Sequence, residues 1–502
     1  MYQIWYKRAL LALSVAMNSL AQVFEPVIGL EIHARLLTDT KIFCGCSTRF
    51  GDKPNTNVCP VCLGLPGALP VLNRRAVDFA VKAALALNCT VRERSIFARK
   101  NYFYPDLPKG YQISQYEEPL ATDGALEYTA GGAARRVGII RVHMEEDAGK
   151  SLHEGFPDSD RKTHVDFNRS GTPLIEIVTH PDLRSADEAA EAFRRLREIL
   201  IALGVNDGNM EEGSLRCDAN VSVRPAGQQT LGTKAEVKNI NSFRFLEKAL
   251  EYEIGRQVDV LQRGGTVVQE TRLWDAGARE TFSMRSKEDA HDYRYFPEPD
   301  LPPVQVDAAR IAEIRASILE LPEARRQRLM SAYALSELDV MALEGHDLVA
   351  LFEATAAASG KPKASFNWVA GEVSRKMNDL GAQFDAARMT AAALAGLIAL
   401  VENGTISASI GKSVFEKMYE TGRSAGEIVS AEGLAQIGDE SALLASIAAV
   451  IDAHADAVGQ YRSGKTGTFG FLVGQVMKAT GGKANPKLVN ALLKRELDKA
   501  VA

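Results

Sequence analysis

The chain has 502 residues, a net charge of -5 at neutral pH and 46% hydrophobic residues. A chain of this length exceeds what one hydrophobic core usually organises, so we expect about two to four domains. The acidic balance excludes nucleic-acid binding through bulk charge, and any such binding must come from a local basic patch.

The first 22 residues combine Lys7 and Arg8 with an apolar stretch from Ala9 to Gln22. This pattern resembles a secretory signal peptide, although no run in the chain approaches the ~20 apolar residues of a membrane span. Four clustered cysteines further along are typical of a reducing compartment. We therefore interpret residues 1–22 as a disordered N-terminal extension, with Met17 as an alternative start, and expect a cytoplasmic protein without membrane contact. Secretion is the alternative.

Residues 27–36 alternate between apolar and polar side chains. Leu30 and Ile32 fall on one side of this period-two pattern, and Glu31 and His33 fall on the other. The pattern predicts a strand with one face in the core. It places an acid and an imidazole together on the opposite face.

Four of the six cysteines form a C-x-C pair and a C-x-x-C pair with twelve residues between the pairs. These residues are Cys44, Cys46, Cys59 and Cys62. Four thiolates in this spacing suit one tetrahedral zinc ion and close its coordination sphere, which is typical of a structural site. The alternatives are buried free thiols or two disulfides, although a disulfide within C-x-C would be strained. Cys89 and Cys217 lie in apolar runs, as core cysteines do.

The segment from Arg99 to Tyr116 is aromatic, basic and rich in turn-forming residues. Such a segment can stack on a nucleobase or line a polar site. It is equally typical of a rigid structural loop.

Helical patterns recur between residues 73 and 264. They predict helices from Asn73 to Asn88, from a capping box at Ser185 to Gly204, and from Ser242 to Arg263. The first unit of the chain therefore mixes strands and helices.

A strand pair is predicted between the second and third of these helices. Residues 214–224 alternate cleanly, and residues 230–238 continue as the partner strand. If the hairpin is symmetric about Gly227, Asp218 lies directly opposite Glu236. Two facing carboxylates repel each other unless a cation or a shared proton lies between them.

Carboxylates recur in four short polar clusters, at residues 29–33, 141–150, 210–218 and 234–238. Carboxylate oxygens with one histidine and nearby lysines suit Mg²⁺ and phosphates rather than a second zinc ion. The alternative for any one cluster is a solvated strand face with surface ion pairs.

Beyond about residue 305 the strand patterns fade, and an alanine-, leucine- and glutamate-rich sequence predicts helices to the C-terminus. From Arg462 onward there are eight Lys/Arg residues against two acids. This basic tail is either a solvated helical surface or a contact surface for phosphates.

Residues 459–466 match the phosphate-loop pattern G-x-x-x-x-G-K-[ST]. A loop of that kind follows a buried strand, whereas the stretch before Gly459 has a helical pattern, so we do not interpret it as a nucleotide site. The sequence also offers no glutaminase nucleophile: there is neither a G-x-S-x-G elbow nor a cysteine in a convincing His/Asn context.

Seven stretches carry a resemblance to a known family, at residues 27–33, 55–67, 99–115, 143–150, 236–243, 471–480 and 484–489. At these residues the chain resembles the B subunits of glutamyl/aspartyl-tRNA amidotransferases. The resemblance implies an α+β fold with an antiparallel sheet in a catalytic (cradle) domain similar to glutamine synthetase and guanidino kinases, followed by an all-α helical domain and a YqeY-like tail. The implied boundaries are 1–22 for the extension, 23–310 for the catalytic domain, 311–430 for the helical domain and 431–502 for the tail.

The resemblance also implies a reaction. In this family ATP phosphorylates the side-chain carboxylate of Glu or Asp mischarged on tRNA(Gln) or tRNA(Asn), and ammonia then displaces the phosphate to give the amide. ATP and Mg²⁺ are the implied cofactors. The implied partners are the tRNA and, in a heterotrimeric complex, the A (glutaminase) subunit, which supplies ammonia, and the C (bridging) subunit. The competing hypothesis is a zinc-stabilised tRNA-binding scaffold protein without its own chemistry.

Individual roles follow from the same resemblance. The implied Mg²⁺ and ATP-phosphate site consists of Glu31, His33, Glu146, Asp218 and Glu236. The implied catalytic pair, at the opening of an ammonia channel, is Lys100 and Glu146. The four clustered cysteines match the zinc ligands of some members. The tail of the family touches the tRNA elbow, and the candidate contacts here are Lys478, Lys483 and Lys487.

Overall fold

The structure is a computed structural model that describes residues 24–286, 293–381, 385, 388–435 and 440–499. The predicted extension at residues 1–22 lies outside the described residues. The chain divides between Arg325 and Arg326 into two units. The first unit mixes strands and helices, and the described part of the second is helical. This confirms the predicted α+β class and the loss of strands after about residue 305.

All strands of the described residues lie in the first unit. They are β1 (Phe24–Arg35), β2 (Thr90–Val91), β3 (Arg94–Ser95), β4 (Phe97–Asn101), β5 (Tyr111–Gln115), β6 (Ala121–Ala130), β7 (Ala133–Glu146), β8 (Lys150–Leu152), β9 (His164–Asp166), β10 (Pro173–Thr179), β11 (Leu215–Pro225), β12 (Ala235–Ile240), β13 (Glu270–Asp275), β14 (Glu280–Ser286), β15 (Phe296–Pro297) and β16 (Val304–Gln305). The helices that begin in this unit are α1 (Arg74–Ala86), α2 (Ala186–Ala202), α3 (Phe243–Gln262), α4 (Ala308–Ala316) and α5 (Pro322–Tyr333).

Nine strands form one large sheet in the order β14-β13-β12-β11-β1-β10-β7-β6-β2. Neighbours pair antiparallel, as predicted, except for β12 and β13, which run parallel. A parallel pair needs a crossover, and α3 supplies it. The first strand of the chain, β1, therefore lies in the middle of the sheet.

The three helices expected between residues 73 and 264 are confirmed, each beginning at a side-chain cap. Asn73 caps α1, Ser185 caps α2 and Ser242 caps α3 through hydrogen bonds to free backbone N–H groups. Such a cap contributes about 1 kcal/mol. Phe193 of α2 and Leu246 of α3 belong to the same hydrophobic cluster as the sheet residues.

The helices cover one face of the sheet. Leu30 and Ile32 of β1 are fully buried in the hydrophobic cluster. Glu31 and His33, which alternate with them along the strand, are only partly buried. Burial of each large aliphatic side chain contributes about 1.5–3 kcal/mol, and this fixes which face of β1 points inward. We call the other face, which carries Glu31 and His33, the polar face.

The predicted register of the β11–β12 pair is wrong. Glu236 lies opposite Asn220 rather than opposite Asp218, and the ladder shifts between Cys217 and Ala219. The partner strand begins at Ala235 rather than near residue 230, because the connection after β11 is a long loop instead of a turn centred on Gly227.

The second unit contains helices only, in its described residues. They are α6 (Glu337–Gly345), α7 (Val349–Ser359), α8 (Pro362–Phe366), a π-helical segment (Asn367–Val373), α9 (Ser374–Leu380), α10 (Ala391–Glu402), α11 (Ala408–Thr421), α12 (Ala425–Ala431), α13 (Glu440–Ala453), α14 (Ala455–Arg462), α15 (Thr468–Ala479) and α16 (Pro486–Lys499). One hydrophobic cluster spans residues 329–429 and another spans residues 443–497. The domain boundaries near residues 310 and 430 stay predictions.

The segment with the phosphate-loop pattern, residues 459–466, begins in the last turn of α14 and ends in the loop before α15. It therefore lacks the buried strand that such a loop follows. Among the described residues, no single helix is long and apolar enough to span a membrane; α13 and α14 reach that limit only together, across a 90° bend.

A buried carboxylate fixes α3 to the edge of the sheet. The side chain of Glu253 is completely buried and forms ion pairs with Arg256 and with Arg272 of β13. Thr281 of β14 donates a further hydrogen bond of 3.0 Å to it. Removal of this carboxylate takes from the buried guanidinium group of Arg272 one of its acidic partners, of which Glu270 is another, and this is costly.

We expect Glu253→Ala to lower the free energy of unfolding by about 3–5 kcal/mol, as measured by urea denaturation. The control is Glu251→Ala on the same helix, whose carboxylate pairs with a half-exposed Lys248. That change should cost about 0–1 kcal/mol because exposed pairs contribute little. Equal losses in both variants would contradict this role for Glu253.

Candidate active site

A row of four charged or ionisable side chains crosses the polar face. Arg216 of β11 lies opposite His33 of β1, His33 opposite Glu176 of β10, and Glu176 opposite His143 of β7. Residues that are opposite each other in neighbouring strands point to the same side of the sheet, so the carboxylate of Glu176 lies between the two imidazoles of this row, with Arg216 at one end.

His33 and Glu176 of this row form a compact group with Glu145 of β7. His33 Nε2 lies 3.5 Å from Glu176 Oε2 and 3.7 Å from Glu145 Oε1. One ligand atom from each residue lies within 4.8 Å of the others, a spacing that suits a metal ion. One imidazole and two carboxylates form a donor set for a hard divalent cation.

The electrostatics of this group favour its charged forms. Burial lowers the pKa of His33, but its hydrogen bond with Glu176 and the nearby carboxylates outweigh burial and raise the pKa to about 9. Burial raises the pKa of Glu176, but His143 and His33 outweigh it and hold that pKa well below its usual value. An imidazolium therefore balances the carboxylates when no other cation is present.

A second acidic group lies beside the first on the polar face. Glu31 of β1 is opposite Asp218 of β11 and accepts a hydrogen bond of 2.8 Å from Asn220. The ammonium group of Lys238 lies 2.9 Å from Asp218 and 3.1 Å from Glu236. The carboxylates of Asp218 and Glu236 are thus separated by a cation, although they are not opposite each other in the ladder.

Burial lowers the pKa of Lys238, but Asp218 and Glu236 outweigh burial and raise it. This lysine stays charged at physiological pH. The group therefore already holds one positive charge between its acids, which marks the position as one that accepts a cation.

Lys100, on β4, lies beside the first acidic group. Its ammonium group is 4.9 Å from the centre of the Tyr293 ring and 5.8 Å from that of Tyr102. Burial lowers the pKa of Lys100, but the charges of Glu145, Glu176 and nearby tyrosines outweigh burial and raise it. The predicted catalytic lysine is therefore a cation at the rim of the polar face.

Glu146 points away from these residues because neighbouring positions of a strand face opposite sides. Its carboxylate forms a buried ion pair with Lys109 and accepts a 2.9 Å hydrogen bond from the backbone of Ile113. The structure therefore brings Glu31, His33, Asp218 and Glu236 together on the polar face, and it places Glu146 on the other side of β7. Glu145, the neighbour that sequence reasoning did not select, takes part in the His33 group.

The four clustered cysteines form one group. Each can offer a sulfur atom within 4.8 Å of the other three. All six cysteines of the chain are free thiols, and the 3.9 Å between the sulfurs of Cys59 and Cys62 is too long for a disulfide bond. Cys89 and Cys217 are buried in the hydrophobic cluster, as expected. The disulfide alternative is therefore wrong.

Cys62 has the character of a thiolate. A hydrogen bond with Cys44, the backbone N–H of Cys59 and the charge of Lys41 outweigh burial and lower its pKa to about 4. Lys41 is completely buried, and its ammonium group lies 3.5 Å from the Cys62 sulfur and 3.2 Å from the Phe167 carbonyl. Four sulfur donors with a nearby cation fit a soft metal such as zinc.

A cavity of about 110 Å³ lies between the four-cysteine group and Glu146. Lys41, Cys62, Lys109 and Glu146 all line it. Gly64 of the cysteine loop lies so close to Lys109 that an added Cβ would be 2.3 Å from the lysine Cγ. The four-cysteine group therefore supports the lysine that pairs with Glu146.

Comparison with known proteins identifies the family. Residues 26–312 match the GatB/GatE catalytic domain, and residues 350–497 match the GatB domain. The chain belongs to the GatB family. It is 52% identical over 476 residues to the B subunit of the aspartyl/glutamyl-tRNA(Asn/Gln) amidotransferase of Geotalea uraniireducens, and the match covers 95% of this chain and 99% of the relative.

Two other relatives with the same name agree. The protein of Myxococcus xanthus is 53% identical over 475 residues, covering 94% of this chain and 98% of the relative. The protein of Carboxydothermus hydrogenoformans is 53% identical over 477 residues, covering 95% and 99%. Membership of the GatB family therefore rests on nearly the whole chain.

Sequence reasoning missed Glu145, Glu176, Lys109 and Lys41. Glu145 is adjacent to the selected Glu146, and only the pairing of β7 with β10 decides which of the two faces His33. Glu176 lies in an otherwise apolar strand, where one acid between isoleucines was the available signal. Lys109 and Lys41 reach their partners through loops, for which the sequence carries no periodic pattern.

We expect the four-cysteine group to bind about one equivalent of metal per chain, measured by elemental mass spectrometry, because the donor set is complete. Cys59→Ser should reduce the metal content and lower the melting temperature, and a chelator should do the same. Cys89→Ser, in the hydrophobic core, is the control and should keep the metal. A wild-type protein without metal, or full metal content in Cys59→Ser, would contradict the assignment.

Proposed function

We propose that this chain is the subunit that activates and amidates glutamate or aspartate mischarged on tRNA. Family membership over 95% of the chain carries the proposal. The two acidic groups on the polar face support it, because phosphoryl transfer needs fixed positions for cations and phosphates. The competing hypothesis, a tRNA-binding scaffold protein without its own chemistry, does not explain why His33, Glu145 and Glu176 form a buried cluster.

The reaction has two steps. A side-chain carboxylate oxygen of the aminoacyl group attacks the γ-phosphorus of ATP, and ADP leaves. Ammonia then attacks the carbonyl carbon of the acyl phosphate, inorganic phosphate leaves and one proton is released to a base. Both steps bring negatively charged groups together, so the polar face must supply positive charge.

Magnesium is the cation that fits the donor set of His33, Glu145 and Glu176. We propose that His33, Glu145 and Glu176 hold one ion and that Glu31, Asp218 and Glu236 provide a second position for it. When bound, Mg²⁺ supplies neutralisation of the charge on the transferring phosphoryl group. Lys238 adds a positive charge beside the phosphates, and Lys100 orients the incoming carboxylate from the opposite side of the acidic groups.

Glu146 is the proposed proton acceptor for ammonia. It faces the cavity rather than the polar face, and its carboxylate forms an ion pair with Lys109. A carboxylate at the wall of a small polar cavity can receive a proton from an ammonium ion that passes it, which leaves ammonia as the nucleophile. Its predicted role as a Mg²⁺ ligand stays a prediction, and so does its pairing with Lys100.

We further propose that the metal in the four-cysteine group is zinc with a structural role. The fold of the first unit is proposed to follow the glutamine synthetase and guanidino kinase architecture. The protein partners are proposed to be the glutaminase and bridging subunits, and the use of aminoacyl-tRNA is consistent with a cytoplasmic location. Lys478 and Lys487 are exposed and Lys483 is half-buried around the junction of α15 and α16, and we propose that they contact tRNA phosphates.

The proposed function predicts ATP-dependent conversion of Glu-tRNA(Gln) or Asp-tRNA(Asn) to the amidated product by the complex with the glutaminase and bridging subunits. The product is measured by chromatography of the amino acid released from the tRNA. Omission of ATP, with free ammonium present, should abolish the reaction because the carboxylate is not activated. Equal amidation without ATP, or no amidation of either tRNA, would overturn the proposal.

Glu145→Gln and Glu146→Gln form a matched pair that separates the two sides of β7. With Mn²⁺ as the probe in the assembled complex, we expect Glu145→Gln to weaken cation affinity about tenfold or more. Glu146→Gln should leave this affinity unchanged and slow amidation from free ammonium. An equal loss of Mn²⁺ affinity in Glu146→Gln would favour its predicted role as a cation ligand, and full activity would exclude its role as proton acceptor.

A further inference from the structure

Beyond Lys238 the polar face changes from charged to apolar side chains. Lys238 of β12 pairs with Leu273 of β13, and Leu273 pairs with Phe282 of β14. Thr271 of β13 donates a hydrogen bond of 2.8 Å to the side chain of Glu236. Thr271, and with it Leu273 two positions further along, therefore points to the polar face. Leu273 and Phe282 therefore extend the row that begins at Lys238.

Phe282 is unusual among the aromatic residues of this sheet because it is 48% exposed. The next pair of residues, Trp274 and Thr281, points to the helix-covered face and is buried. Trp274 is therefore the aromatic residue that packs in the hydrophobic core at this point of the sheet. A second large apolar side chain on the polar face does not contribute to that core, and an exposed apolar patch next to a polar site is typical of a binding surface.

We propose that Leu273 and Phe282 bind the adenine base of ATP: the base stacks on the ring of Phe282 and packs against Leu273. This rests on the proposed function and assigns the base to one end of the polar face. Neighbouring strands are about 4.8 Å apart, so the strand of Phe282 lies about 10 Å from that of Lys238. The ribose and phosphate chain of ATP cover such a distance, with the phosphates at Lys238 and the base on the phenyl ring.

The proposed role of Lys100 assigns the aminoacyl end of the tRNA to one end of the polar face and leaves the other end to the nucleotide. Phosphoryl transfer requires the leaving and attacking oxygens to lie roughly in line through the phosphorus atom. Lys100 and its tyrosines lie beside β7 and β10, on the far side of the acidic groups from β14. The donor nucleotide therefore enters from the Phe282 side, and the acceptor carboxylate enters from the Lys100 side.

The test uses the complex with the glutaminase and bridging subunits and compares Phe282→Ala with Phe282→Trp. We expect Phe282→Ala to raise the KM for ATP about tenfold, because stacking of one base is lost, while the KM for aminoacyl-tRNA is unchanged. Phe282→Trp should keep a KM for ATP close to that of the wild type. Phe156→Ala removes a partly exposed phenylalanine from another part of the first unit and is the matched control.

Inorganic tripolyphosphate, which has phosphates but no base, separates base binding from a change in the phosphate site. Its inhibition constant should be the same in the wild type and in Phe282→Ala. An equal weakening of ATP and tripolyphosphate would overturn the proposal, as would an unchanged KM for ATP. Loss of complex assembly in Phe282→Ala, measured by gel filtration, would instead assign the patch to a contact with a partner protein. Absence of any ATP-dependent amidation in the wild type would refute the proposed function rather than this subsite.

Discussion

Each cluster of carboxylates on the polar face is held together by a cation inside it. His33 lies between Glu145 and Glu176, and Lys238 lies between Asp218 and Glu236. Without these cations the acids would repel each other and the neighbouring strands would be destabilised. The same arrangement makes the polar face suitable for binding ligands, because carboxylates that pair with a protein cation can also bind a metal ion, and the cations can then pair with a phosphate.

The helix-covered face makes this arrangement possible. Burial of Leu30, Ile32 and their neighbours fixes the side of β1 that points inward. The alternate residues, which include Glu31 and His33, must therefore all point to the opposite side. The charged residues contribute little stability of their own in such a setting, and their cost is offset by the apolar face behind them. The positions of the charged side chains on the polar face are therefore a consequence of the packing of the hydrophobic core.

The fold and the site were predictable from the sequence where residues recur with a regular period or a characteristic spacing. The alternation in β1 predicted the common face of Glu31 and His33, capping residues predicted α1 to α3, and the two cysteine pairs predicted one four-cysteine group. Register was not predictable, because the length of the loop after β11 and the shift in its ladder determine which residues face each other. The choice between Glu145 and Glu146 depends on β10, about thirty residues further along the chain, for which no local pattern exists.

The central position of β1 also determines when the site can form. β1 is the first strand of the described residues to leave the ribosome, yet its neighbours are β10 and β11, so Glu31 meets Val178 and Asp218 only after more than 140 further residues have been synthesised. Until then an apolar strand with two unpaired edges is exposed, which favours aggregation and a requirement for chaperones. The sheet of the first unit therefore depends on contacts between strands that are distant along the chain, and such contacts form more slowly than local ones.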